Sequence, residues 1–332
     1  MKPVRVVLLF TAFLLILFFV QGTMAAETYG YVTQWGSPGT GDGQFSSPVG
    51  IAVDSSGNVY IAGGRGIVKF DSGGNYVTQW GSWGSGNGQF KGPHGVAVDN
   101  SGKLYVTDVG NQRIQKFDSD GNFLMKWGSP GMGDGQFSFP NGISIDTSGN
   151  VFVLDTHNFR IQKFDSDGNF LMKWGSGGGG DGQFSFPNGI SIDTSGNVYV
   201  TDMGNQRIQK FDSDGNFLMK WGFLGDGDGQ FLYPTGITAD TSGNIFVIDS
   251  GNYRIQKFKS DGTYITQWGF KGEGNGQFSY PRGIGIDLTG NIYVSDYYQN
   301  RIQIFTKSLP GRISVTSNPA GAEIFLESVG SV

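Results

Sequence analysis

The sequence contains no cysteine and, in 332 residues, only two histidines, His94 and His157. The first absence excludes a disulfide framework, a thiolate-held zinc or iron–sulfur centre and a thiol nucleophile. The second excludes a three-histidine metal site. Charge is also scarce, at 15% of residues against a usual ~25%. Helical bundles and coiled coils are rich in Ala, Glu, Lys and Leu, and this chain is not. Glycine (57 residues) and aromatic residues (14%) take their place. The glycines have no three-residue period, which excludes collagen. The aromatic and β-branched content is too high for a disordered linker. One large all-β domain is the expectation.

The first 26 residues read as a separate segment. Lys2 and Arg5 precede an apolar run over residues 6–20, and the small residues Thr23, Ala25 and Ala26 follow. This is the pattern of a secretory signal peptide cleaved after Ala25 or Ala26. The run is short of the ~20 residues of a membrane span, and an uncleaved anchor is the alternative. Either reading puts the remainder outside the cytoplasm. Loss of the segment removes two positive charges and takes the net charge from −5 to −7.

The remainder repeats. Trp-Gly recurs at Trp35, Trp80, Trp127, Trp174, Trp221 and Trp268, with spacings of 45, 47, 47, 47 and 47 residues. Gly-Gln-Phe recurs in step from Gly43 to Gly276. A typical copy, residues 182–222, contains four strand signals, at 189–193, 197–202, 207–212 and 216–221. Each alternates or is β-branched, and each is bounded by Gly, Asn, Asp or Ser. Four short antiparallel strands repeated six times predict a six-bladed β-propeller. The sixth copy lacks its fourth strand. The segment TYGYVTQWG before the first copy carries that signal, so the N-terminal strand is expected to complete the last blade and leave no open edge.

The motifs Pro-x-Gly-Ile, Asp-x-x-Gly-Asn-(Val/Ile)-(Tyr/Phe)-Val-x-Asp and Asn-x-Arg-Ile-Gln-Lys-Phe resemble the NHL repeat family over about residues 28–307. The resemblance implies a propeller. Its members include protein-binding sensors, RNA-binding regulators and a metal-dependent lyase, so the fold alone does not choose a function. The first copy departs from the pattern. It has only Ala62-Gly63-Gly64-Arg65-Gly66 where the second has Asp108-x-x-Asn111-x-Arg113. Residues 311–326, GRISVTSNPAGAEIFL, resemble the start of a PEGA domain, a small β module of prokaryotic surface proteins. Pro319, Gly321 and Ala322 fit, and Ala320 stands where that motif has Glu. The organisation expected is a signal peptide (1–26), a propeller (27–307) and a truncated PEGA-like segment (308–332).

Comparison among copies separates two faces. The links from first to second strand and from third to fourth are nearly invariant (TSGN, SDGN). The links on the other face vary. Between Pro and Gly at the channel mouth stand Val49, His94, Asn141, Asn188, Thr235 and Arg282. Just before that Pro stand Ser47, Gly92, Phe139, Phe186, Tyr233 and Tyr280, and the second-to-third link carries His157, Tyr297 and Tyr298. A ligand surface needs such variety and a pure scaffold does not, although exposed loop tips also drift. Recognition of a protein, peptide or glycan is therefore expected, with His94, Asn141, Asn188, Thr235, Arg282, Phe139, Phe186, Tyr233, Tyr280, Tyr297 and Tyr298 as candidate contacts.

Other motifs read as architecture. The pairs Asp108/Arg113, Asp155/Arg160, Asp202/Arg207, Asp249/Arg254 and Asp296/Arg301 recur in five copies, as stacking contacts of repeated units do. Asp118-Ser119-Asp120-Gly121-Asn122 begins like a calcium loop. Phe123 stands where the sixth position needs Gly, and Ser129 where the twelfth needs Glu, so a hairpin turn is the better reading. The glycine runs open no helix and precede no Lys-Ser/Thr, which removes a phosphate loop. His94 and His157 are weak metal candidates. With a carboxylate they would make the rival reading, a metal-dependent hydrolase or lyase. A surface-layer component is the third. No catalytic constellation and no cofactor is expected. Nucleic acid, which needs a basic patch, is disfavoured by the acidic balance.

Overall fold

The structure, a computed structural model, describes residues 27–64 and 66–308. The signal segment and the PEGA-like tail lie outside the described residues.

Six four-stranded antiparallel sheets follow one another along the chain. Blade 1 is built from Pro48–Val53, Val59–Gly63, Gly66–Phe70 and Tyr76–Trp80, and blades 2 to 5 repeat this order. Blade 4, for example, consists of Pro187–Ile192, Val198–Asp202, Arg207–Phe211 and Phe217–Trp221, each within two residues of its sequence signal. Blade 6 takes three strands from the C-terminal side and its fourth from Thr28–Trp35. That strand pairs antiparallel with Arg301–Ser308, from Thr28 opposite Ser308 to Trp35 opposite Ile302. The ring is closed by main-chain hydrogen bonds between the two ends of the domain, so no sheet edge is left at the junction.

The core lies between blades. Tyr60, Ile67, Phe90, Val96, Leu104 and Phe117 pack where blade 1 meets blade 2. Phe45, Ile51, Ile61, Phe70, Tyr293 and Ile302 do so where blade 6 meets blade 1. One blade offers apolar side chains on both faces, so only stacking removes them from water. Each buried Phe, Leu or Ile then contributes roughly 1.5–3 kcal/mol.

The first strands line the channel, and one glycine in each sets their spacing. A Cβ on Gly189 would lie 2.3 Å from the carbonyl oxygen of Thr235, and one on Gly283 would lie 1.8 Å from that of Val49. The Pro-x-Gly motif is thus a requirement of close approach. The variable residue x occupies the point where neighbouring first strands touch.

Hydroxyl groups reinforce these junctions in alternation. Thr107, Thr201 and Ser295 each accept a hydrogen bond from the glycine of their own blade. They donate to Asn141, Thr235 and Val49 of the next blade at 2.8, 2.6 and 2.8 Å. At two of the other three junctions the hydroxyl sits two residues later, and at the junction of blades 1 and 2 Ala62 supplies none. Thr156 donates to the Pro187 carbonyl at 2.8 Å and Ser250 to that of Pro281 at 2.6 Å.

Candidate functional site

Strand register defines the faces. Pro187 lies opposite Asp202, and Asp202 opposite Arg207, so the entry to the first strand and the second-to-third link emerge together. The variable positions therefore share one face. The opposite face carries the repeated turns. In one of them Asp54 accepts hydrogen bonds from the Ser56 and Asn58 amides at 2.9 and 2.8 Å. In another Asp118 does the same for Asp120 and Asn122 at 3.0 and 2.8 Å. The latter turn has Gly121 at φ 87°, and it binds its carboxylate entirely within itself.

The repeated Asp–Arg pairs underlie the variable face. Arg207 donates from Nε to Asp202 at 2.8 Å, and from its two Nη atoms to the carbonyls of Gly179, Gly180 and Gln183 at 2.7–2.8 Å. Arg113, Arg160 and Arg254 repeat this geometry on Asp108, Asp155 and Asp249. The guanidinium ties the second strand to the loop that enters the blade. The other carboxylate oxygen accepts the backbone N–H of Ser185, at 2.7 Å, one residue before the rim position Phe186. Asp155 does likewise for Ser138 beside Phe139 at 2.6 Å, and Asp249 for Leu232 beside Tyr233 at 2.7 Å. Burial pushes the Asp202 and Asp249 carboxyls upward, and the Arg and amide donors oppose it. The pairs are buried, and through these hydrogen bonds they hold the backbone beside the rim residues.

Phe139, Phe186 and Tyr233 sit in the left-handed region, at φ 56°, 49° and 53°, with side chains 45%, 48% and 54% exposed. Blade 2 has Gly92 here, at φ 74°. An aromatic residue in this conformation costs of order 1 kcal/mol or more. Blade 6 differs, because Asp296 accepts the N–H of Tyr280 itself, at 2.9 Å, and Tyr280 escapes the left-handed turn.

Side chains that sequence reasoning did not single out complete the rim. Gln112, Gln206 and Asn300, each just before a repeated Arg, accept the N–H of Phe139, Tyr233 and Ser47 in the next blade at 2.6–2.7 Å. Phe159, at the same place in blade 3, packs edge-on to Phe186, with ring centroids 6.0 Å apart. The alternation of amide and aromatic at this position was the available signal.

The other candidates fall into two groups. His157 stacks on Phe139 at 4.2 Å and meets Phe186 edge-on. Tyr280, Tyr297 and Tyr298 form a cluster with centroids 5.2–6.1 Å apart, and Tyr298 is 63% exposed. The Arg282 guanidinium carbon lies 5.5 Å from the rings of both Tyr280 and Tyr297. Arg282, His94, Asn188 and Val49 line a cavity of ≈ 80 Å³ at the axis. His94 is half-buried there. Enclosure within the channel and the charge of Arg282 push its pKa down to about 3. Asn141, half-buried, stands at the equivalent place in blade 3. Thr235 is a correction. It is buried, its hydroxyl is shared with Ser250 at 2.6 Å, and it serves the junction of blades instead of a surface. Among the described residues no three of His, Cys, Asp and Glu gather as metal ligands. His94 and His157 occupy separate settings, one in the channel and one between phenyl rings.

The NHL repeat model matches residues 90–117, 137–164, 184–211, 231–258 and 278–305, which fall in blades 2 to 6. The chain is an NHL-repeat propeller. No curated protein matches its sequence. Solved propellers resemble it in shape. Virginiamycin B lyase from Staphylococcus aureus superposes with a TM-score of 0.57 at 16% identity, over 84% of this chain and 99% of the lyase. An auxiliary nutrient binding protein from Bacteroides thetaiotaomicron gives 0.60 at 14% identity, over 83% and 72% of the two chains. A chain of the nidogen/laminin complex gives 0.54 at 18% identity, over 72% and 84%. At such identities the likeness is one of fold.

Proposed function

We propose that this NHL propeller is an exported, non-catalytic binding module that recognises a protein, peptide or glycan through its variable face. One observation carries the reading. Phe139, Phe186 and Tyr233 are held half-exposed in a costly left-handed backbone, where glycine would serve the fold alone, as Gly92 does in blade 2. Exposed Trp83, Met132, Phe223 and Phe270 lie in the inter-blade loops of the same side. The opposite links are mostly Ser, Thr, Asp, Gly and Asn, with Leu288 an exposed exception. Aromatic side chains on a rigid support suit recognition, because little conformational entropy is lost on contact. The exported location follows from the signal-like first 26 residues.

The test compares the full chain with a triple variant, Phe139→Gly, Phe186→Gly and Tyr233→Gly, on arrays of surface glycans and peptides. Glycine accepts this backbone, so the variant should fold. The expected result is binding by the natural chain that the variant loses. Binding unchanged in the variant would sink the reading.

A further inference from the structure

We propose that the mouth of the central channel is a site for a single carboxylate group, held by the Arg282 guanidinium with His94 and Asn188 beside it. The inference deepens the binding-face reading and rests on it, by naming the chemical group taken at its centre.

The first argument is charge. Of the six Arg among the described residues, five contact an Asp carboxylate. Arg282 contacts none, and its Nε is buried with no hydrogen-bond partner. No Asp or Glu lines the cavity beside it. Arg282 is partly buried; a cation partly withdrawn from water without a counter-charge is costly, and an anion relieves it. The second argument is geometry. Tyr280 and Tyr297 both face the guanidinium, each ring centroid 5.5 Å from its central carbon, and so fix its orientation before any ligand arrives. The third is the set of donors. Asn188 is only 8% exposed, yet its amide lies against the cavity without a protein partner. His94 stays neutral at pH 7, because burial and Arg282 hold its pKa down at about 3. A neutral imidazole still offers one N–H.

Size and shape select the anion. The cavity of ≈ 80 Å³ at the channel mouth has room for a carboxylate. The planar guanidinium fork matches two coplanar oxygens better than a tetrahedral anion. The carboxylate belongs either to a free small acid or to a larger ligand, such as a peptide C-terminus or a uronic acid, docked on the aromatic rim.

The experiment follows the imidazole resonances of the full chain by NMR during titration with sodium formate, N-acetylglycine and glucuronate, with chloride at matched ionic strength. His157 is the internal reference. The expected result is a saturable shift at His94, and not at His157, with carboxylates only. The tightest of the three identifies the carrier. Arg282→Gln should weaken binding at least about tenfold. Asn188→Asp, which places a carboxylate in the cavity itself, should abolish the response and decides the matter if Arg282→Gln does not fold. No saturable shift at His94, an equal response to chloride or sulfate, or formate binding retained in Asn188→Asp would overturn the proposal. Array binding by the natural chain in any of those cases leaves the binding-face reading standing.

Discussion

Tyr29 lies flat on Trp268, with ring centroids 4.3 Å apart and planes 17° from parallel. The other five repeated Trp side chains are covered differently. The glycine of the third turn in the next blade presses on each. Gly74 lies against Trp35, Gly121 against Trp80, Gly168 against Trp127, Gly215 against Trp174 and Gly262 against Trp221. Blade 6 has no such turn, because its third and fourth strands are the two ends of the domain. Tyr29 takes the place of the missing turn. Lys257 adapts in the same way. Its counterpart Lys210 donates to the Ser260 carbonyl at 3.1 Å, whereas Lys257 reaches Glu27 and the Tyr29 hydroxyl.

Tyr29→Ala should therefore destabilise the propeller by about 2 kcal/mol, below the usual 3–5 for a fully buried aromatic because Tyr29 is half-buried. Tyr29→Phe keeps the stack and should cost less than half as much. Urea unfolding of the two variants checks this. Equal losses would assign the effect to the hydroxyl and not to the ring.

The sequence made the ring legible because repetition supplies its own control. Six Trp-Gly positions in step mark six blades, and a fourth-strand signal ahead of the first copy reveals the closure. The variable face was legible for the same reason, from differences among copies. What escaped was anything that depends on one residue meeting another across a junction. Nothing local tells Thr235 from Asn188. One turns its hydroxyl to Ser250 and the other leaves its amide against the cavity. The left-handed backbone at Phe139 is likewise imposed from outside, by Asp155 holding Ser138 and by Gln112 holding Phe139 itself. Sequence preference would have argued against it.

Gly283→Ala tests the closure from the channel side. A Cβ there would lie 1.8 Å from the Val49 carbonyl oxygen, and backbone cannot retreat as a side-chain end can. The expected loss is about 3 kcal/mol. Gly88→Ala is a useful contrast, with nothing within 4 Å of the added carbon but a φ of 73°. Its loss should be about 1 kcal/mol, from backbone strain alone. Thermal unfolding that ranks the two the other way would show that the first strands can spread.

The Asp–Arg pairs are not equivalent, and substitution should show it. Arg207 reaches Asp202 at 2.8 Å. Arg301 stands 3.3 Å from Asp296 and spends one Nη on Gln34 of the N-terminal strand, at 2.8 Å. Lysine cannot reproduce the fork. Arg207→Lys keeps the charge but loses the fork's bonds to the Gly179, Gly180 and Gln183 carbonyls, and should cost about 2 kcal/mol. Arg301→Lys should cost less at the carboxylate but also loosen the closing strand, so hydrogen exchange at residues 28–35 should rise in this variant alone. Protection of that strand unchanged in Arg301→Lys would mean that Gln34 adds nothing to closure.

His94 should make the propeller sensitive to mild acid. Its folded pKa of about 3 lies below the 6.5 of an ordinary histidine. Between those values the unfolded chain takes up a proton that the folded chain refuses, so stability falls as pH drops from 6.5 towards 3. At about 1.4 kcal/mol for each pH unit, the histidine should cost about 2–3 kcal/mol between pH 7 and pH 4.5. Asp71, Asp118, Asp165, Asp212 and Asp261 also titrate below their ordinary value, held down by hydrogen bonds within their own turns. Those carboxylates act alike in the natural chain and in His94→Gln, so the difference between the two proteins isolates the imidazole. The gap between the urea midpoints at pH 7 and pH 4.5 should therefore be wider in the natural chain than in the variant. Parallel midpoints in both would mean that the channel admits enough water, or enough anion beside Arg282, to let His94 charge at no cost.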